Sequence, residues 1–448
     1  MAFNTPIFLL LFFPLSLGLF YLLRLGSKPV GKVYLIALSF IFYAWGEAKF
    51  FLLLPALLCI NYLGLYFSPK LKKNPAKALR FFLVVLDLAA LIWGKYGLDR
   101  LPLGLSFFVF RLISAVIDQA HDERVVSFLD YGLYIVFFPQ LISGPIARYD
   151  AFTKALQSWQ PQFSDVLPGL RRFVPGLFIK VLIADPLAQA RLDLLSYGGS
   201  GAYEAWLMVF LYSLYLYLDF ASYSHMAIGL SQMYGLPAPE NFNLPYLAKN
   251  ITDFWRRWHM SLSSFFRDYV YIPLGGNRKG KGRQILNILI VWALTGLWHG
   301  SSLNFLLWGL YYGILLLLEK FFLAKVLEKM PVFLQRLLTF FLVSMGWVLF
   351  AFPKKTELFD FVARLFGSKG AGGSYALYTL LNYGLVLVLG LLLAFGLGKK
   401  LQDSYRNSSL SQKKPIRAIR FVLTAGLFIL SMAYIIDQSF ASFLYFQF

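Results

Sequence analysis

The sequence predicts an all-α, polytopic integral membrane protein, and three observations carry that prediction. Of 448 residues, 58% are apolar and only 14% are charged, against roughly 25% charged in soluble domains. The apolar residues gather in runs close to the length of a membrane-spanning helix, about 20 residues. The charges between those runs are mostly basic, giving a net +20. Roughly 260 apolar residues cannot be hidden in one water-soluble core, and the same count excludes disorder. At about 20 residues per crossing, the apolar content limits the chain to at most about 13 spans.

In chain order, apolar segments lie near 7–23, 33–45, 50–68, 81–97, 101–117, 129–146, 173–190, 203–235, 285–298, 302–318, 333–351, 375–397 and 417–436. The first has no basic region before it, so it reads as a retained span and not as a cleaved signal peptide. Several runs are too short to cross alone at about 1.5 Å per residue. Those are expected to be re-entrant or broken helices, which protein or water must cover. The run 203–235 is long enough for one tilted helix or two short ones. These segments allow about nine to thirteen crossings.

Three loops are densely basic: Lys70, Lys72, Lys73, Lys77 and Arg80; Arg278, Lys279, Lys281 and Arg283; and Lys399 to Arg420. No basic helix or RNA-type aromatic motif accompanies them, so they indicate positive-inside topology and not a nucleic-acid partner. All three are expected in the cytoplasm, which requires an even number of crossings between them. Splitting 203–235 satisfies that count and leaves the N-terminus outside. The lone Cys59 excludes an intrachain disulfide and a cysteine-cluster metal site.

The whole chain, 1–448, reads as one membrane domain, with an unusual polar, aromatic and basic segment, 238–284, inside it. From Ile251 to Tyr269 that segment sets Trp, Phe and Arg at helical spacing, as in an amphipathic helix lying on or dipping into the membrane surface. No internal repeat of the kind built into many transporters is evident.

Four histidines limit the choice of general base: His121, His225, His259 and His299. His121 stands beside Asp122, Glu123 and Arg124 and reads as a solvated surface residue. His299, in GLWHG (296–300), lies between two apolar runs. If Ile285 begins at the cytoplasmic face, fourteen helical steps place it roughly 21 Å into a core of about 30 Å. An ionisable group at that depth is a functional candidate; the other reading is a neutral histidine bonded to a neighbouring helix. His259, in FWRRWHMSL, is either a second site residue or an interfacial histidine. There is no Gly-x-Ser-x-Gly elbow, no phosphate-binding GxxxxGK[ST] loop and no metal-ligand spacing. LGGNRKGKG (274–282) is a loop that either holds a cofactor phosphate or simply carries positive charge.

PLGLSFFVF (102–110), PQLISGPIARY (139–149), ENFNLPYLAKNITDFWRRWHMSLSSFFRDYVYIPLGGNR (240–278), GLWHG, WGLYYG (308–313) and LYFQF (444–448) occur in this order. Together they resemble the membrane-bound O-acyltransferase (MBOAT) family over residues 100 to 448. Within it the match is to the bacterial polysaccharide branch that O-acetylates alginate and related polymers. A D-alanyl-transfer branch acting on teichoic acid shares RWHMSL and WHG but not the PLGGNR element. The resemblance implies about eleven membrane helices around a central funnel or tunnel, in the bacterial cytoplasmic membrane, with His299 at the centre and His259 as a second polar position. Two departures stand out. His225 occupies a place where aspartate is usual in DFASYSHMAIG (219–229), and Asn304 stands where an aromatic is usual.

The implied activity is transfer of an acetyl group from a cytosolic thioester, acetyl-CoA, to an extracytoplasmic polysaccharide. Transfer is direct or through an extracytoplasmic acetyltransferase partner, and no permanently bound cofactor or metal is implied. A histidine is suited to taking the hydroxyl proton as the ester forms, and burial favours the neutral form a base needs. Backbone N–H groups around Gly296 and Gly300 are candidates for an oxyanion hole. Arg256, Arg257, Arg278 and Lys279 are candidates for binding the donor's phosphates, and Trp255, Trp258, Asp268, Trp298 and Asn304 for lining the tunnel. The rival readings are D-alanyl transfer and a transporter without chemistry.

Overall fold

A computed structural model describes residues 2–24, 27–120, 127–196, 201–407 and 414–437. His121 and LYFQF (444–448) lie outside the described residues. Every regular element among those described is helical. The helices of the first part of the chain are α1 (Phe13–Arg24), α2 (Lys28–Gly46), α3 (Leu53–Phe67), α4 (Lys73–Tyr96), α5 (Leu105–Gln119), α6 (Phe128–Val136), α7 (Phe138–Leu141), α8 (Tyr149–Gln157), α9 (Val166–Phe178) and α10 (Asp185–Ser196). The long α11 (Ala202–Met233) leads to α12 (Ile251–Trp255), α13 (Met260–Phe266), α14 (Lys281–His299), α15 (Leu303–Leu318), α16 (Ala324–Lys329) and α17 (Val332–Ala351). The chain continues through α18 (Lys355–Leu365), α19 (Ser374–Ala394), α20 (Leu397–Asn407) and α21 (Lys414–Asp437). Among the described residues, six helical stretches have the length and apolarity to cross a membrane: α2, α11, Leu303–Lys329, α17, α19 and Ala418–Asp437.

The run 203–235 forms one helix and not two. At about 1.5 Å per residue its 32 residues reach roughly 48 Å, more than a bilayer core. The even count between the first two basic loops therefore cannot come from a break there. Short helices such as α6, nine residues and roughly 14 Å long, are the segments that cannot count as crossings. The most apolar window of α11 is 83% buried inside the protein, which explains why Ser213, Asp219, Ser222 and Ser231 can sit along an otherwise apolar helix.

The chain divides into two compact units. One comprises Met1–Gly176, Tyr223–Glu240 and Ile435–Phe448. Aromatic rings build its core: Phe8, Phe42, Phe138 and Tyr234 are all buried, and Tyr234 shares a 2.8 Å hydrogen bond with Ser16. Gln140 ties its loop to the end of α11 by donating to Ser231 Oγ at 3.2 Å and to the Pro237 carbonyl at 2.9 Å. His225 is on this unit's exposed surface, within electrostatic reach of the Arg172–Glu240 ion pair.

The other unit comprises Leu177–Ser222 and Asn241–Tyr434. Its buried charges are compensated. Lys180, on a π-helical turn (Ile179–Ala184), donates to Asp185 at 2.6 Å and to Asp219 of α11 at 2.7 Å. Glu204, also buried, accepts from Gly373 N–H at 2.6 Å and so caps the N-terminus of α19, where an anion is favoured.

Candidate active site

The site grows from a tight hairpin of α14 and α15. A Cβ added at Gly296 would lie 2.3 Å from the Phe305 carbonyl oxygen, and one at Gly309 would lie 2.2 Å from that of Trp292. Only glycine permits that approach. Gly296 lies inside α14, where its N–H belongs to the helical ladder. Its lack of a side chain therefore serves helix packing, which corrects the expectation that it frees an N–H for an oxyanion.

His299 is the last residue of α14 and is 4% exposed. Its ring is enclosed by Trp298 (centroids 4.7 Å apart), Trp308 of α15 (4.9 Å), Phe350 of α17 (5.2 Å) and Phe305 (6.4 Å). It therefore faces protein and not lipid. Asn304 holds the frame by donating to the Leu349 carbonyl of α17 at 3.1 Å. The helix C-terminus carries partial negative charge, so an imidazolium formed here is stabilised as the ring takes a proton.

His259 reaches the same seam from a broken segment. The expected single helix from Ile251 to Tyr269 is two short helices followed by a π turn, because His259 adopts a left-handed conformation at φ 42°. Such a conformation costs a β-carbon residue roughly 1–2 kcal/mol and needs support. Asn241 supplies it. The Asn241 carbonyl accepts from Met260 N–H at 2.9 Å. Its side-chain Oδ1 accepts from Ser261 N–H at 3.2 Å, Ser261 Oγ at 2.9 Å and His259 Nδ1 at 3.1 Å. An oxygen already accepting two donors requires His259 to carry its proton on Nδ1, which makes Nε2 the basic nitrogen. Burial lowers the pKa of His259, which lies between spanning helices, from 6.5 to about 3, so the ring is neutral.

Trp298 joins the two histidines: its ring centroid is 6.2 Å from that of His259 and 4.7 Å from that of His299. Trp255 packs on Trp308 at 5.8 Å, and Trp258 on Trp347 at 4.8 Å. The structure thus gathers His299, His259, Trp255, Trp258, Trp298 and Asn304 into one region. It places the other candidates outside this aromatic cluster. Asp268 pairs with its neighbour Arg267 at 2.7 Å, and Arg257 pairs with Asp253 at 2.8 Å. Arg256, Arg278 and Lys279 are exposed, the last two in the turn before α14.

Four further contributors were not apparent in the sequence. Asn241 orients His259 from 18 residues away, and Trp308 and Phe350 complete the cage around His299. Glu319, buried in a π turn after α15, accepts from Ile251 N–H at 2.7 Å and Thr252 N–H at 3.2 Å. It thereby anchors α12 and with it Trp255. An acid within a long apolar stretch was its available signal.

Residues 100–358 match the model of the MBOAT, membrane-bound O-acyltransferase family. The chain is 33% identical to a probable alginate O-acetylase AlgI of Pseudomonas putida, with all of both chains covered. It is 32% identical to a peptidoglycan O-acetyltransferase of Helicobacter pylori, covering 78% of this chain and 77% of that one. A teichoic acid D-alanyltransferase of Bacillus subtilis is 33% identical over 49% of this chain and 59% of its own. With its all-helical spans, its enclosed WHG histidine and similarity to an O-acetylase along its full length, this chain belongs to the membrane-bound O-acyltransferase family and is a multi-pass membrane acyltransferase.

Proposed function

We propose that this protein takes acetyl groups from acetyl-CoA on the cytosolic side and moves them across the bacterial cytoplasmic membrane for O-acetylation of an extracytoplasmic polysaccharide. The observation that carries the reading is the pair of buried imidazoles joined by Trp298 inside an aromatic enclosure. His299 acts as the base. It takes the proton of the attacking hydroxyl as that oxygen bonds to the thioester carbonyl carbon. When the C–S bond breaks, the imidazolium returns the proton to the departing thiolate. The C-terminal end of α14 favours the transient cation, and a positioned base contributes typically 10²–10⁴-fold. His259, neutral and held by Asn241, orients the reacting groups from the other side of Trp298.

The developing oxyanion needs donors that lie in a water-poor place. Trp255 and Trp308 are buried, and their indole N–H groups have no hydrogen-bond acceptor among the described residues. They are therefore the proposed donors in place of the Gly296 N–H. Arg256, Arg257, Arg278 and Lys279 attract the donor's phosphates at the cytoplasmic mouth. The acceptor is the polysaccharide itself or a separate extracytoplasmic acetyltransferase that completes the transfer. Likeness to O-acetylases along more of the chain than to D-alanyltransferases favours acetyl over D-alanyl.

His299→Ala tests the reading. With the variant inserted at normal abundance, polysaccharide O-acetyl content should fall at least about 10²-fold. Unchanged acetylation would refute it. Labelling from a D-alanyl carrier but not from acetyl-CoA would overturn the choice of donor.

A further inference from the structure

The corner between α19 and α20 presses on the segment that carries His259. Gly396, at φ 93°, makes that corner, and a Cβ added there would lie 2.7 Å from the Leu244 side chain. Leu244 is itself left-handed at φ 48°, a conformation that needs support from its surroundings. One residue earlier, the side-chain oxygen of Asn243 accepts from Lys399 Nζ at 2.9 Å. The Asn243 N–H donates to the Arg257 carbonyl at 2.9 Å, and its own carbonyl accepts from the Arg257 guanidinium at 3.3 Å. Residues 241–243 and 257–261 therefore form a short clasp. At one end Asn241 holds Met260, Ser261 and the His259 ring, and at the other Asn243 holds Arg257. Lys399 links α20 to that clasp.

α20 has the makeup of a helix that lies in a membrane surface. Its 11 residues set Leu397 and Leu401 four apart on one face, and both are exposed, Leu401 at 63%. At about 100° per residue, Lys399 stands on the opposite face, where it meets Asn243, and the exposed Lys400 flanks the leucines. With the 278–283 loop in the cytoplasm, α14 and α17 run outward and α15 and α19 run inward, so α20 lies at the cytoplasmic surface. From Lys399 to Arg420 the sequence has seven Lys/Arg residues against one acid, Asp403. Leucines suit the acyl boundary of that leaflet, and a basic flank suits its phosphates. A strip two leucines long seats a helix among headgroups but is small for a stable protein interface.

We propose that α20 binds the anionic phospholipids of the cytoplasmic leaflet, with Lys400 as a ligand of the headgroup phosphate, and that this seating steadies the His259 clasp through Lys399. The proposal goes beyond the acetyl-transfer reading and holds whatever acyl group the site moves. A helix of this length is marginal in water on its own, so what it rests on decides how much of the time it stays formed. Seated in an anionic surface, α20 keeps Lys399 within reach of Asn243. On a neutral surface α20 frays, the link to Asn243 is made less often, and the clasp at 257–261 opens more often. Membrane charge thereby sets how firmly His259 is held in its strained conformation.

The test is hydrogen–deuterium exchange of the full-length protein in nanodiscs of phosphatidylcholine alone and in nanodiscs rich in phosphatidylglycerol. In the anionic discs the amides of 397–401, and those of Met260 and Ser261, should exchange at least about fivefold more slowly, and added salt should reduce the difference. Lys400→Gln should remove most of both effects. Lys399→Gln should keep the protection of α20 and lose that of Met260 and Ser261, a split that a purely local role of either lysine does not produce. Equal exchange in the two membranes, protection undiminished by Lys400→Gln, or protection of Met260 and Ser261 that survives Lys399→Gln would overturn the proposal. Acetyl-CoA added to the neutral discs should not reproduce the protection of α20; if it does, the phosphate bound there is the donor's and the lipid assignment falls. Acetyl transfer is scored separately, and its absence leaves this exchange pattern unaffected.

Discussion

Adding one methyl group at Gly309 should disable the site without touching any reacting atom. The new Cβ of Gly309→Ala would stand 2.2 Å from the Trp292 carbonyl oxygen, against 3.4–4 Å for ordinary contact. Backbone cannot swing away as a side chain can, so α14 and α15 must separate by roughly 1 Å, and such overpacking costs about 1–3 kcal/mol. Trp308, next in sequence, moves with α15 and carries the wall of the His299 cage. A displacement of about 1 Å in a positioned site lowers rates by up to about 10²-fold. The assay is acetyl transfer from acetyl-CoA by membranes holding equal amounts of each variant, with thermal unfolding in detergent alongside. Gly384→Ala is the control, because nothing lies within 4 Å of its added Cβ. If Gly309→Ala keeps the normal rate and unfolding temperature, or if Gly384→Ala loses as much, the packing argument is refuted.

Lys180→Met should cost about 3–5 kcal/mol by stranding Asp185 and Asp219, and combining it with Asp219→Leu should restore part of the loss in unfolding temperature. Glu319→Ala removes the acceptor from two N–H groups at the start of α12. A loss of about 1–3 kcal/mol should accompany slower transfer, and an unchanged rate would separate α12 from the site. Asn241→Leu should release the His259 tautomer and lower the transfer rate while leaving insertion intact, measured on the same membranes. The pKa of His259 is lowered on folding, so the unfolded chain binds more protons between about pH 6.5 and 3. Stability should therefore rise with pH through that window, and His259→Gln should flatten the rise.

The membrane class was legible from composition because lipid demands apolar surface over whole helices, which leaves a signal in every segment. The end of α14 at His299 was legible as well, since Gly300 closes the apolar run there. The break at His259 was not. Local pattern favours one helix from Ile251 to Tyr269, and the competing term is a set of hydrogen bonds to Asn241, outside the window that periodicity samples. The cage escaped for the same reason. Trp308 and Phe350 read as ordinary apolar residues of α15 and α17 until the glycine hairpin brings them against His299. Depth and local pattern singled out the two histidines and the resemblance gave them positions in the family, but neither explains why they share one tryptophan.

Trp255, Trp258, Trp292, Trp298, Trp308 and Trp347 form one connected set of rings with the two histidines. They are six of the chain's ten tryptophans. A change in the packing of this cluster should therefore register in the protein's tryptophan emission. Unlabelled protein thus carries an optical gauge of rearrangement around the two histidines, readable within the intact membrane.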